Sequence, residues 1–177
     1  MAGPTNEADL DWTAYDEGDA RFRRKQLAAA ADGERLGCSL YELSPGERAW
    51  PYHYHTANEE AMYVLAGSGR VRGPDGEVMV IEGDYLAFPV GEGGGHHVAN
   101  DGDEPMRYLM LSTMVEPDVT VYPDSGTFGV YAGAPPGSTE ERSVSGYYRL
   151  EDTVDYWEDN GDDDGSDEGG EAESGRG

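Results

Sequence analysis

The chain has 177 residues, of which 37 are acidic and 12 are basic, and its formal net charge is −25. This length accommodates one domain with a buried core and short flanking segments, but not a second full domain. A surface this negative repels nucleic acid and anionic membranes, so we expect neither as a partner. The sequence contains no long apolar run and no basic region followed by an apolar one at its start, which favours a cytoplasmic protein.

Lysine is nearly absent, because eleven of the twelve basic residues are arginine and the other is Lys25. Together with the acidic surplus this predicts a protein of a halophile's cytosol, since molar salt screens the repulsion between like charges over a few ångströms. The single cysteine, Cys38, excludes an intramolecular disulfide and favours a reducing compartment. It lies in an apolar run, where we expect it to act as a small buried side chain.

Residues 1–18 are polar and acidic, and predict a weakly ordered lead-in. The basic cluster at 21–25 follows, and we expect it to pair with carboxylates of this chain or of a second subunit. Residues 28–31 are expected to form a short helical turn that ends at Gly33.

Many short strands are predicted between about residue 36 and residue 131, where segments rich in valine, tyrosine and leucine alternate with glycine, proline, aspartate and asparagine. No long amphipathic helix separates them, so the expected fold class is all-β, a sandwich or a barrel. The predicted strands are 36–43, 49–55, 61–66, 69–73, 77–81, 85–88, 96–100, 106–113, 119–122 and 128–131.

The four histidines form two pairs, His53 with His55 and His96 with His97. Residues two apart on a strand project to the same face, so His53 and His55 place two imidazoles side by side. Glu60 follows just after a bend and can direct its carboxylate back toward them. Imidazole and carboxylate suit Zn, Mn, Fe, Ni or Cu, and the grouping predicts a site for one divalent transition metal. A polar, solvated strand face is the alternative.

These residues resemble the two motifs of the cupin family. The first motif combines two histidines, a glutamate and flanking glycines, here Gly46, His53, His55, Glu60 and Gly67. The second motif combines glycines and a proline with a histidine and an asparagine, here Gly83, Pro89, Gly91, His96 and Asn100. The resemblance covers about residues 36–112.

Two spacings depart from the family pattern. Six residues separate Gly46 from His53 where five are usual, and four residues separate Gly91 from His96 where two are usual. The interval of three residues between His96 and Asn100 matches the family and favours His96 as the ligand. His97 is the alternative, and it would face the opposite side of the strand.

The resemblance implies a double-stranded β-helix, or jelly-roll barrel, with short irregular N- and C-terminal extensions. It also implies that His53, His55, Glu60 and His96 hold the metal inside the barrel, and that the chain forms a homodimer. We therefore expect the lead-in at 1–18, the barrel with its flanking segments at 19–158, its core at about 36–131, and a disordered acidic tail at 159–177.

Three imidazoles and one carboxylate leave about two open positions on an octahedral metal. This favours an enzyme that acts on a small molecule, either as an oxygenase or as an isomerase or epimerase of a sugar-type substrate. The alternatives are a non-catalytic module that binds a small ligand and a structural barrel stiffened by the metal. The sequence leaves the identity of the metal and of the substrate open.

Overall fold

The computed structural model describes residues 3–138 and 140–157, so the expected tail at 159–177 lies outside the described residues. Within these ranges one short helix, α1 (Leu27–Ala30), accompanies thirteen strands. The strands are β1 (Thr13–Glu17), β2 (Ala20–Gln26), β3 (Leu36–Leu43), β4 (Tyr54–His55), β5 (Glu60–Ala66), β6 (Ser68–Gly73), β7 (Gly76–Ile81), β8 (Tyr85–Phe88), β9 (His97–Ala99), β10 (Met106–Thr113), β11 (Asp118–Tyr122), β12 (Thr127–Ala132) and β13 (Val144–Arg149). None of the helices in this part of the chain has the length and apolar character needed to cross a membrane.

The described strands form three antiparallel sheets. The largest has the order β1-β2-β3-β10-β5-β8, the second has the order β13-β12-β11-β4, and the third has the order β7-β6-β9. Strands far apart in sequence lie side by side, β3 next to β10 and β4 next to β11, as in a jelly-roll. An isolated bridge between His53 and His96 provides a further contact between distant segments. The predicted all-β jelly-roll fold is confirmed.

The strands of the barrel core follow the sequence pattern closely, with one exception. β3 and β10 have the predicted ends, and they pair residue for residue from Leu36 with Thr113 to Leu43 with Met106. The predicted strand 49–55 is wrong over most of its length, because only Tyr54 and His55 form a strand. Pro51 lacks a backbone N–H and cannot take part in a continuous ladder there.

The N-terminal segment differs from the weakly ordered lead-in expected for 1–18. A 3-10 turn forms at Glu7–Asp9, and β1 pairs with β2 along its whole length. The Tyr15 ring stacks on Phe22 with 4.6 Å between ring centroids, and it meets Trp50 edge-on at 4.9 Å. One aromatic side chain therefore attaches a segment whose composition is otherwise polar.

The basic cluster lies on β2, where successive side chains alternate between the two faces. Arg21, Arg23 and Lys25 share one face and form ion pairs with Asp16, Glu42 and Glu7 respectively, as expected from the sequence. Arg24 points to the other face, toward the interior, and lines the central cavity of the barrel.

The core lies between the sheets and contains fully buried side chains from several strands, among them Leu43, Met62, Val64, Met106 and Tyr108. At its edge the buried Asn100 amide closes the turn that leads into β10. Its Nδ2 donates to the carbonyls of Leu43 and Glu104, each at 2.9 Å, and its Oδ1 accepts from the Gly102 amide. The asparagine of the second motif thus holds the turn and has no ligand role.

Candidate metal centre

The four side chains proposed from the sequence converge inside the barrel. His53, Glu60 and His96 each offer one ligand atom, and these atoms lie within 4.8 Å of one another. His55 is outside that set, but its Nε2 lies 3.5 Å from Glu60 Oε2, the same oxygen that His96 Nε2 approaches at 3.3 Å. The three histidines are buried, and Glu60 is partly buried at the first position of β5.

Each of the three imidazoles is held at Nδ1. His53 Nδ1 lies 2.7 Å from the Pro51 carbonyl oxygen and His96 Nδ1 lies 2.9 Å from the Gly94 carbonyl oxygen. His55 Nδ1 lies 2.6 Å from Asp118 Oδ2. An acceptor at Nδ1 fixes the proton there and leaves the Nε2 lone pair free, as in metal-binding histidines. The donor set therefore fits a divalent transition metal.

The local electrostatics favour neutral imidazoles at two of the three positions. Burial is the main cause that lowers the pKa of His53 well below its usual value, and neighbouring His96 and His55 lower it further. Burial also lowers the pKa of His96, despite the opposing charge of Glu60. For His55 burial acts in the same direction, but Asp118 and Glu60 outweigh it and raise the pKa. Metal binding at His55 therefore requires displacement of a proton that these carboxylates favour.

His97 lies apart from this group. Among the described residues, the set of side chains that can hold a metal includes His96 and omits His97. Burial and the nearby guanidinium groups of Arg48 and Arg72 lower the pKa of His97. Neighbouring residues of an extended segment face opposite sides, so His97 is directed away from the group that His96 joins, although it also borders the large cavity.

The glycine-rich loop before His96 is shaped by close packing. It forms a 3-10 turn at Glu92–Gly94, and a Cβ on Gly94 would lie 1.7 Å from the Pro89 carbonyl oxygen. Only glycine fits at that position. The same residue supplies the carbonyl that holds His96 Nδ1, so the loop that departs from the family spacing also orients the histidine.

Several residues of the site were not predicted from the sequence. Asp118 is buried and holds His55, while Thr120 Oγ1 lies 3.1 Å from the same His55 nitrogen. Phe88 stacks on the His96 ring at 4.0 Å, and Tyr122 stacks on His53 at 5.8 Å. Asp118, Thr120 and Tyr122 alternate along β11, and that period of two was the signal available in the sequence.

A cavity of about 1150 Å³ extends from the metal centre toward the N-terminal strands. Its walls carry polar and aromatic side chains from several sheets, including Arg24, Tyr41, Tyr108, Tyr122, Tyr131 and Tyr147. The hydroxyls of Tyr131 and Tyr147 lie 2.8 Å apart. A cavity of this size accommodates a small organic molecule next to the histidines.

The fold and the site define a small β-barrel protein with an internal histidine and glutamate group. Residues 39–112 match the family model described as the cupin domain. The chain therefore contains a cupin domain of type 2, as the two sequence motifs predicted. No curated protein matches its sequence at a significant level.

Solved structures support the same fold. A protein of Acidithiobacillus ferrooxidans assigned as a sugar phosphate isomerase is 25% identical, with a TM-score of 0.68 over 77% of this chain and 81% of that one. A sugar phosphate isomerase of Silicibacter pomeroyi is 22% identical, with a TM-score of 0.70 over 84% and 93%. The polyketide cyclase RemF of Streptomyces resistomycificus is 26% identical, with a TM-score of 0.56 over 64% and 80%.

Proposed function

We propose that this chain is a metal-dependent enzyme that isomerises or epimerises a small sugar-type molecule, with His53, His55, Glu60 and His96 as the metal ligands. The observation that carries the proposal is the hydrogen-bonding arrangement that the three imidazoles share, each held at Nδ1 while its Nε2 stays available. The similarity to the Acidithiobacillus ferrooxidans protein favours isomerisation over oxidation.

A bound divalent metal supplies Lewis-acid polarisation of a substrate carbonyl or hydroxyl oxygen. The side chains of the cavity bind and orient the substrate beside it. Tyr108 is fully buried, and its hydroxyl has no hydrogen-bond partner among the described residues. Burial, with Tyr41 and Glu60 nearby, raises the pKa of Tyr108 well above its usual value. The phenol therefore stays protonated behind the wall of the cavity.

The decisive experiment compares metal content in the wild type, His96→Ala and His97→Ala by plasma mass spectrometry. We expect about one divalent metal per chain in the wild type and in His97→Ala, and loss of the metal in His96→Ala. The two variants remove the same side chain from adjacent positions. Equal metal content in both variants would contradict the ligand assignment.

Turnover distinguishes the enzyme from the alternatives. We expect isomerisation of a sugar phosphate that disappears on chelation and returns with one metal. Stabilisation of the protein by the ligand without turnover identifies a binding module instead, and melting that responds to metal alone identifies a structural role.

We also propose a homodimer, supported by exposed apolar side chains on β5, β7 and β8. Tyr63 and Tyr85 are paired across β5 and β8, and both are exposed, as are Met79 and Ile81 on β7. A second copy of the chain would cover them. We expect sedimentation analysis to give a dimer for the wild type and a monomer for Met79→Glu/Ile81→Glu, with metal content unchanged. A monomeric wild type would contradict the proposal.

A further inference from the structure

A row of side chains crosses the largest sheet on the cavity side. Arg24 on β2 is the registered partner of Tyr41 on β3, and Tyr41 is the partner of Tyr108 on β10. The rings of Tyr41 and Tyr108 stack with 5.1 Å between centroids. Arg24, Tyr41 and Tyr108 all line the cavity that contains the metal centre. The row therefore connects a guanidinium near the N-terminal strands with the neighbourhood of Glu60.

Two atoms of this row lack a hydrogen-bond partner. Within residues 3–138 and 140–157, three buried side-chain nitrogen or oxygen atoms are without one, namely Arg24 Nε, Arg107 Nε and Tyr108 Oη. Arg107 Nε lies 3.7 Å from a carboxylate oxygen of Glu42, away from the cavity. The other two are both donors, and both belong to residues that line the cavity. Both atoms are covered by protein, but the half-buried Arg24 side chain carries further N–H donors on its terminal nitrogens, which suit a cavity ligand with acceptor oxygens.

The surroundings of Arg24 differ from those of the other cavity guanidinium, Arg142. Arg142 donates to the backbone carbonyls of Ala134, Pro135 and Ser138, and these bonds hold a loop. Arg24 instead has the phenol oxygens of Tyr41 and Tyr15 as its hydrogen-bonding neighbours, and its Cζ lies 5.5 Å from the centroid of the Tyr15 ring. Its charge is half-buried among phenols, where salt screens it less than a surface charge.

We propose that Arg24 binds the anionic group of the substrate, a phosphate or a carboxylate, while the oxygen-rich end of the same molecule lies at the metal centre. The orientation of the molecule rests on the proposed function, but the anion subsite itself does not. A guanidinium offers parallel N–H donors that match both kinds of oxyanion. Three strand intervals separate β2, which carries Arg24, from β5, which carries Glu60. The two backbones are therefore about 14 Å apart across the sheet, and the side chains of Arg24 and Glu60 extend into this gap.

The carboxylates of the cavity do not oppose this assignment. Glu60 lies at the candidate metal centre, three strand intervals from β2. Asp32, Glu34 and Glu140 also line the cavity, but all three are exposed to solvent. Their repulsion of an incoming anion is screened by water and salt. The anion is therefore favoured once it reaches the half-buried guanidinium.

The test is calorimetric titration of the full chain with three probes, namely fructose 6-phosphate, glucuronate and neutral fructose. We expect the wild type to bind at least one of the two anionic probes about tenfold or more tightly than fructose, since a charge-assisted pair is worth roughly 1.4 kcal/mol or more. The stronger of the two anions identifies phosphate or carboxylate as the natural group. In Arg24→Gln this preference should disappear.

Arg23→Gln is the matched control, because it removes the same charge from the adjacent residue on the opposite face of β2, where Arg23 pairs with Glu42. We expect it to keep the preference. Equal binding of all three probes by the wild type, or a preference that survives Arg24→Gln, would overturn the proposal.

The same titrations on metal-loaded and metal-stripped protein separate the two proposals. Loss of the anion preference in Arg24→Gln, with metal content unchanged, supports the subsite alone. If the wild type binds no metal but the preference depends on Arg24, the metal-dependent function fails and the anion subsite stands. If the wild type has a normal metal content but no preference for anions, the anion subsite fails and the metal-dependent function stands.

Discussion

Asp118 is the carboxylate that would prepare His55 for the metal binding that we propose. Its Oδ2 holds His55 Nδ1, and its Oδ1 accepts from the Ala57 amide at 2.9 Å. Burial raises the pKa of Asp118, but the bond to His55 and the Ala57 amide outweigh this effect and lower it. The ionised carboxylate therefore fixes both the ring orientation and the position of the ring proton.

We expect Asp118→Asn to weaken metal binding by about 10- to 100-fold without unfolding the chain. Competition with a coloured chelator measures the affinity. Asp124→Asn is the control, because Asp124 carries the same functional group but pairs with Arg72 at the surface. Similar affinities in the two variants would contradict a supporting role of Asp118.

In the metal-free protein, the buried His53 should lower stability as the pH falls below about 6.5, the usual pKa of histidine, while the raised pKa of His55 acts in the opposite direction. Burial, then the charges of His96 and His55, lower the pKa of His53 in the folded state. The unfolded chain then binds a proton that the folded chain does not, so the free energy of unfolding decreases from that pH down to the lowered pKa. Urea denaturation at about pH 7.5 and about pH 5.5 should show a smaller loss in His53→Gln than in the wild type. Equal losses would contradict the prediction.

For single residues, the sequence predicted the proposed ligands but not the side chains that surround them. His53, His55 and Glu60 are close in sequence, so their meeting follows from the geometry of one strand and one bend. Asp118 is sixty-three positions from His55, and only the pairing of β11 with β4 brings the two together. No local pattern reveals such a contact.

Among the strands, β1 and β2 make the largest addition to the barrel core that the sequence predicted. They extend the main sheet beyond β3 and bring Tyr15, Phe22 and Arg24 to the cavity side. The composition of residues 1–18 concealed this, because the segment contains five acidic residues and its stacking contact with the barrel depends on Tyr15. In contrast, β3 and β10 are apolar along most of their length, and their ends followed directly from the sequence.

We expect Tyr15→Ala to lower the free energy of unfolding by about 2 kcal/mol, because it removes the stack on Phe22 and the edge contact with Trp50. Chemical denaturation measures the change. Asp16→Ala, next to it on the exposed face, should alter stability by about 0.5 kcal/mol or less. A loss for Tyr15→Ala no larger than the loss for Asp16→Ala would show that β1 is held by its backbone alone.

For the whole molecule, the net charge of −25 on 177 residues is the dominant property. We propose that it reflects adaptation to a salt-rich cytosol, in agreement with the near absence of lysine. The domain limits at residues 18 and 158 remain predictions.

The melting temperature should therefore rise as KCl increases from about 0.1 M to about 2 M, because shorter screening lengths reduce repulsion among the carboxylates. Circular dichroism during heating measures it. A chain that ends at residue 158 is the control, since it removes the acidic tail; we expect the same fold and a weaker dependence on salt. A melting temperature that does not respond to salt would contradict the adaptation.

The segment that matches the cupin model, residues 39–112, contains all four proposed metal ligands. Arg24, Asp118 and Tyr122, which line the cavity or support the histidines, all lie outside it. We therefore expect exchanges on β2 to alter substrate preference while the proposed centre stays intact, whereas an exchange of Asp118 on β11 would also weaken that centre. The same division gives a practical rule for protein engineers: a library confined to β2 samples new specificities without replacing any proposed ligand or the carboxylate that supports one.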